Sequence, residues 1–190
     1  MKAFKWILGI MVIMLLVYAG CRKTNDKFKY YLQVNLTDTD SPNPNPDPVI
    51  NYRGINIDLQ KVLVHYSGVR GHKKWVEINT RSGIYNLVDL KNNLQTVIAK
   101  DGSIPLGKID QIRLILGTNN TIAAFDGRRY ELQIPPSAQD KLTVSVNADL
   151  EIGRRIMVML DFDALSSVTH EGDGTFVLNP VLTVKSVENS

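Results

Sequence analysis

The chain has 190 residues, of which 44% are hydrophobic and 7% aromatic, with 22 Lys and Arg, 19 Asp and Glu, and a single cysteine. These proportions are typical of one or two globular domains, and they exclude a disordered, collagen-like or disulfide-stapled protein. The formal net charge of +3 falls to about +1 once Lys2 and Lys5 leave with the segment described next, which excludes the basic surface that nucleic-acid binding requires.

Residues 1–20 have the three parts of a signal peptide. Lys2 and Lys5 supply the positive start, an apolar run interrupted only by Gly9 follows over residues 6–19, and small residues end the segment. A membrane-spanning helix needs roughly 20 apolar residues, so this run is too short for one. We therefore expect the segment to be removed.

The only cysteine, Cys21, lies directly after Ala19 and Gly20. Residues 17–21 resemble the lipobox of bacterial lipoproteins, with Tyr18 where an aliphatic residue is usual. The sequence predicts that Cys21 carries a lipid anchor whose two or three acyl chains hold firmly, and that residues 21–29 form a tether. A secreted protein with a free thiol is the alternative. Arg22, in place of the aspartate that retains lipoproteins at the inner membrane, favours the outer membrane.

Strand patterns begin after the tether. Residues 30–37 and 141–150 alternate strictly between apolar and polar side chains, which predicts two half-buried strands. Residues 112–116 and 156–162 are nearly continuous apolar runs, which predicts central strands covered on both faces. The alternation changes phase within residues 55–66, near Gln60 and Lys61, and this predicts a β-bulge.

Turn residues divide the remaining strands. Asp126-Gly127 predicts a hairpin in which both residues adopt positive φ, and residues 171–174 predict another. Pro180 lies within a last predicted strand, residues 175–187, and places it at a sheet edge or a bulge.

Two segments do not have a strand pattern. Residues 87–99 have helix-like spacing, which predicts a short helix or an irregular crossover. The alternating prolines of residues 42–48 predict a surface loop in the polyproline II conformation, either a stiff spacer or a docking peptide. Together the elements predict an all-β domain over residues 30–187, an antiparallel sandwich or open barrel with at most one short helix.

Compact motifs for catalysis are missing. Residues 102–109 have the spacing of a phosphate-binding loop, but Ile109 stands where a hydroxyl is required. The nucleophile elbow G-x-S-x-G and the patterns S-x-x-K and H-E-x-x-H are absent. The three histidines, His65, His72 and His170, are scattered singly, although a catalytic triad can assemble from distant positions.

Two groups of side chains remain as candidates for binding. A group of carboxylates is either a set of solvated turn residues or a calcium site. A group of aromatic residues either belongs to the core or stacks on a sugar or peptide. The carboxylates are Asp161, Asp163, Glu171 and Asp173; the aromatics are Tyr31, Tyr52, Tyr66, Trp75 and Tyr85. The sequence thus predicts no catalytic residue, no metal and no cofactor.

Several stretches have an order and spacing that resemble an uncharacterised domain-of-unknown-function family of Gram-negative envelope lipoproteins. They are residues 57–66, 75–78, 83–90, 104–107, 111–117, 160–163 and 179–182. The resemblance spans residues 30–187 and implies a lipid-anchored, β-rich domain; it implies no catalytic residue. Relative to the family, the proline tract 42–48 looks like an insertion.

The leading hypothesis is a lipid-anchored cell-envelope lipoprotein, a non-enzymatic binding module for a glycan or an envelope protein, attached to the membrane through its anchor. Binding is expected in loops 37–52 and 67–74, because a rigid β scaffold carries recognition in its connections. An enzyme that modifies envelope polymers, or a structural or adhesin subunit that pairs through sheet edges, is the alternative.

Overall fold

The computed structural model describes residues 31–38, 52–68, 71–104, 106–171 and 173–190. The predicted signal peptide, Cys21, the tether and the proline tract lie outside the described residues. Within these ranges the structure has no helix that combines the length and the apolar composition needed to cross a membrane.

The described part of the chain forms thirteen strands and two 3-10 helices. The strands are β1 (Tyr31–Thr37), β2 (Tyr52–Gly68), β3 (Lys73–Ile78), β4 (Gly83–Asn86), β5 (Thr96–Asp101), β6 (Gly107–Leu116), β7 (Thr121–Ala124), β8 (Arg129–Gln133), β9 (Thr143–Leu150), β10 (Arg155–Phe162), β11 (Val168–His170), β12 (Phe176–Leu178) and β13 (Leu182–Asn189). The 3-10 helices are Leu87–Leu90 and Pro136–Leu142.

These strands make two sheets in a sandwich-like arrangement, which confirms the predicted all-β class. A small sheet has the order β13-β10-β1-β5, and a large sheet of nine strands contains the path β11-β12-β8-β7-β2-β6-β9. Most pairings are antiparallel, but β1 pairs with β10 and β8 with β12 in parallel, so both sheets are mixed.

The long strand β2 organises the large sheet. Along one edge it pairs first with β7 and then with β6, and along the other first with β4 and then with β3. Its register against β6 shifts between Leu59 and Lys61, which confirms the predicted bulge. Two further shifts lie between His65 and Tyr66 against β6 and between Tyr52 and Gly54 against β7.

The hydrophobic core lies between the inner faces of the two sheets. It contains Leu32, Val34 and Leu36 of β1, Ile156, Val158, Leu160 and Phe162 of β10, and the inward residues of β2, β6 and β9. The prediction that β6 and β10 are covered on both faces is wrong, because their outward residues, such as Ile115 and Met159, stay half-exposed. Each strand is nevertheless flanked by two neighbours, β6 by β2 and β9, and β10 by β1 and β13.

The predicted last strand is two strands. Pro180 is buried in the connection between β12 and β13, which belong to different sheets. The prediction that it lies within a strand is therefore wrong. The chain leaves one sheet and enters the other there, and a residue without an N–H group costs no ladder hydrogen bond at that point. Residues 87–99 likewise divide into the 3-10 helix Leu87–Leu90 and the start of β5.

Both predicted hairpins form. β7 and β8 are joined by residues 125–128, and β11 and β12 by residues 171–175. In the first, Gly127 has φ +85°, but Asp126 has no positive φ, because the turn has four residues and not two.

Candidate functional site

A cleft of about 560 Å³ opens on the outer face of the large sheet, where β2 passes between β4 and the β7–β8 hairpin. This volume is within the range of about 300 to 1,000 Å³ that small-ligand sites have. We call it the polar cleft. Its lining residues are Arg53, Gly54, Asn56, Asn86, Asp89, Ala123, Ala124, Gly127 and Arg129.

Small residues make the floor of the polar cleft. The register places Gly54 of β2 opposite Ala123 of β7, and Ala123 opposite Arg129 of β8, in one cross-strand row. A β-carbon at Gly54 would lie 3.2 Å from Oδ1 of Asn86, so a larger residue there would push against that amide. Because Gly54 has no side chain and Ala123 only a methyl group, the surface is depressed there, and Arg129 borders the depression.

Arg53 owes its position to the register shift of β2 against β7. Tyr52 pairs with Ala124 and Gly54 with Ala123, so Arg53 is the extra residue of a bulge. Bulges redirect the side chains that they carry. The bulge therefore places the exposed Arg53 at the polar cleft although its strand neighbours are paired in the sheet.

Two amides on opposite strands supply fixed hydrogen-bonding groups. Oδ1 of Asn86 accepts from the backbone N–H of Ile55 (3.1 Å) and of Val88 (3.3 Å), which leaves its Nδ2 as a donor for a ligand. Nδ2 of Asn56 donates to Oγ1 of Thr121 (3.2 Å), which leaves its Oδ1 as an acceptor. Both amides are thus oriented before any ligand arrives.

Phe125 is a large exposed aromatic residue that does not line the polar cleft but neighbours it in the chain. Phe125 is 71% exposed at the tip of the β7–β8 hairpin, between the lining residues Ala124 and Gly127. An exposed aromatic face next to polar groups is suited to stacking on the apolar face of a sugar.

Charges in the polar cleft are not neutralised by contact. Arg53, Arg129 and the carboxylate of Asp89 all line it, and within the described ranges none of the three forms an ion pair. The neighbouring Arg128 is paired with Asp126 at 2.7 Å, so that carboxylate is already engaged. The described lining residues together carry a formal charge of +1.

The three histidines lie apart from the polar cleft. His65 on β2 pairs through Nδ1 with Asp110 of β6 at 2.5 Å and lies 5.2 Å from the ring of Trp75. His72 is exposed before β3, and His170 stacks on Phe176 at 4.6 Å. No hydroxyl of a described residue hydrogen-bonds to His65, so the structure does not assemble a triad around it.

The four predicted carboxylates are divided between two places. Asp161 and Asp163 lie near the buried Asp38, whereas Glu171 and Asp173 occupy the β11–β12 turn. Burial raises the pKa of Asp38 to about 6, an effect that the N–H of Ala164 and nearby Lys91 oppose and that Asp163 and Asp161 reinforce. Over the described ranges, His, Cys, Asp and Glu form no group of three or more that could hold a metal ion.

The predicted aromatic candidates are mostly engaged within the fold. Tyr66 is buried and donates its hydroxyl to the carbonyl of Leu106 (2.7 Å), and the hydroxyl of Tyr85 donates to the carbonyl of Arg81 (2.6 Å). The guanidinium of Arg113 covers the ring of Trp75 at 4.4 Å.

The other two tyrosines also have partners. Lys100 lies 5.1 Å from the ring centre of Tyr31, and Tyr52 packs edge-on against Phe176. None of the five is the exposed ring beside the polar cleft.

Sequence reasoning missed the residues of the polar cleft. Of the expected binding loops, residues 39–51 and 69–70 lie outside the described ranges, and the cleft is built mainly from strand residues. One available signal was Gly54, because an isolated glycine within a strand pattern indicates a bulge or a close approach. The hairpin at Asp126-Gly127 was predicted, but not its role as a wall of the cleft.

The model of one protein family, described as a domain of unknown function (DUF4382), matches residues 31–180 of the chain. No curated protein and no solved structure is significantly similar to the chain.

Proposed function

Since the chain belongs to the DUF4382 family of domains of unknown function, we propose its role from its own residues: a lipid-anchored envelope protein that binds a glycan without chemical turnover. The polar cleft is the binding site in this proposal. The family's position in Gram-negative envelopes is part of the proposal and rests on the sequence resemblance alone.

The localisation of the protein is proposed from its first residues, 1–22. The positive start, the short apolar run and the solitary Cys21 after Ala19-Gly20 support lipidation at that cysteine and delivery to the cell envelope, with the outer membrane favoured by Arg22.

The observation that carries the binding proposal is the mixture of groups in the polar cleft. Arg53, Arg129 and Asn86 supply donors and Asn56 and Asp89 supply acceptors around a floor of small residues. Sugar hydroxyls both donate and accept, so such a mixture suits them. Phe125 adds a ring on which a sugar face can stack.

The absence of turnover is proposed from the character of the cleft. Among its described lining residues there is no histidine, cysteine, serine or threonine, and Asp89 is the one carboxylate. A glycosidase of the usual kind needs two carboxylates on either side of the scissile bond.

Binding is tested with the purified full chain in mild detergent on an array of neutral and acidic oligosaccharides. We expect at least one class to be retained, and Asn56→Ala and Phe125→Ala each to weaken its binding by about fivefold or more, the loss of about 1 kcal/mol that one hydrogen bond or one ring contact gives.

Ile152→Ala is the matched control, because Ile152 is 55% exposed on the β9–β10 turn and does not line the cleft. Binding that survives both cleft substitutions, or an array without any retained glycan, contradicts the proposal. Release of reducing sugar that stops on Asp89→Asn would favour an enzyme.

A further inference from the structure

We infer that the polar cleft is selective for an anionic group on its glycan, held between Arg53 and Arg129. This inference rests on the proposed function for the glycan, but the charge preference follows from the cleft itself.

The two arginines of the cleft differ from two arginines that lie in turns, Arg128 and Arg154. Arg128 is paired with Asp126 at 2.7 Å and Arg154 with Glu151 at 2.9 Å, both within their own turns. Arg53 and Arg129 have no such partner in the described part of the chain, and both line one cleft. Arg81 and Arg155 likewise form no ion pair with a described residue, so the feature that sets Arg53 and Arg129 apart is the cleft that they share.

The fold also brings both arginines to one cleft. The bulge at Arg53 takes that residue out of the β2–β7 pairing, and the row Gly54, Ala123, Arg129 leaves an empty floor beside the second arginine. Two like charges that face one concave surface repel, and an anion between them removes the repulsion. Concave surfaces with charge of one sign concentrate ions of the other sign.

The chemistry of the anion follows from the guanidinium group. A guanidinium presents parallel N–H donors that match the two oxygens of a carboxylate or of a phosphate. The donor Nδ2 of Asn86 adds a neutral hydrogen bond, while Asp89 favours a hydroxyl over a second anion. The ligand class is therefore a glycan with acidic groups, a uronic acid or a phosphorylated sugar.

The test uses the purified full chain in mild detergent and three probes: oligogalacturonate, its methyl ester, and dextran oligomers that carry phosphate monoesters. We expect at least one acidic probe to bind about tenfold or more tightly than the methyl ester, and Arg53→Gln and Arg129→Gln each to remove about tenfold, since hydrogen bonds to charged groups contribute about 1.5 to 3 kcal/mol. The acidic probe that binds identifies the anion. Binding should weaken as NaCl rises from about 50 to about 500 mM, because salt screens exposed charges.

Arg128→Gln is the matched control, because Arg128 precedes Arg129 on the same hairpin but does not line the cleft. The inference is overturned if neither acidic probe binds more tightly than the methyl ester, or if the Arg128 variant loses as much binding as the two cleft variants. If a neutral glycan binds and depends on Asn56 and Phe125 but not on the arginines, the inference fails and the proposed function stands. If polyglutamate binds through both arginines and no glycan binds, the proposed function fails and the anion preference stands.

Discussion

Asp38 shows how a single residue makes the stability of the fold depend on pH. Its side chain is buried at the end of β1, where Oδ1 accepts the backbone N–H of Ala164 (2.9 Å) and Oδ2 has no hydrogen-bond partner. Ionising a carboxyl with an unpaired buried oxygen is costly, and this desolvation is the main reason that the pKa is about 6 and not the ordinary 3.8.

We expect the free energy of unfolding to fall as the pH rises through this window. The folded state holds its proton up to about pH 6 while the unfolded chain releases it near pH 4, so the folded state binds more protons between these values. Urea unfolding measures this at about pH 4 and about pH 7.5. Between these values the free energy of unfolding of the wild type should fall by about 1 to 3 kcal/mol relative to that of Asp38→Asn, because asparagine does not titrate. Asp140→Asn, at an exposed carboxyl, is the control; parallel pH profiles for the wild type and the Asp38 variant would contradict the assignment.

At the scale of elements, the connection between β6 and β7 is held against β2 by a buried polar cluster. The backbone N–H of Asp58 donates to Oδ1 of Asn120 (2.8 Å), whose Nδ2 donates to the carbonyl of Gly117 (2.7 Å). The N–H of Gly117 donates in turn to the carbonyl of Asp58 (2.7 Å). These bonds allow β6 and β7 to follow one another along the same edge of β2.

Asn120→Ala should lower the free energy of unfolding by about 1 to 3 kcal/mol, because it leaves the buried N–H of Asp58 without an acceptor. Asn119→Ala is the matched control, since the side chain of Asn119 is exposed and makes no hydrogen bond with a described residue. Chemical denaturation measures both variants. Equal stabilities would show that the cluster does not hold the connection.

The elements that the sequence predicted well are those that local pattern determines. Period-two alternation located β1 and β9, the phase change located the bulge near Gln60, and turn residues located both hairpins. The short helix predicted within residues 87–99 is present at Leu87–Leu90, but the start of β5 in the same segment was missed, and Pro180 was assigned to the wrong element. Both errors concern places where the conformation depends on which sheet the chain enters next. The polar cleft was missed for the same reason: Arg53, Asn86 and Arg129 become neighbours only through strand pairing.

At the scale of the molecule, Cys21 links the proposed binding module to its proposed membrane. Cys21→Ser should shift the protein from the membrane fraction to the soluble fraction and abolish labelling by a palmitate analogue, because the acyl chains supply the attachment. Fractionation and labelling of cells measure both effects. Ser103→Ala, a substitution of an exposed hydroxyl far along the chain, is the control. A Cys21 variant that stays membrane-bound and labelled would contradict the lipid anchor.

The parallel pairing of β1 with β10 sets an order of events during synthesis. Tyr31 is the register partner of Arg155, 124 positions later in the chain, and β10 in turn pairs with β13, so the centre of the small sheet joins the first described strand to strands that are translated much later. Until β10 has been translated, Leu32, Val34 and Leu36 lack this neighbouring strand. Contacts so distant along the chain form slowly. The nascent protein therefore has an unfinished core until β10 has been translated, a state in which chaperone protection matters more than it does for a fold built from local contacts.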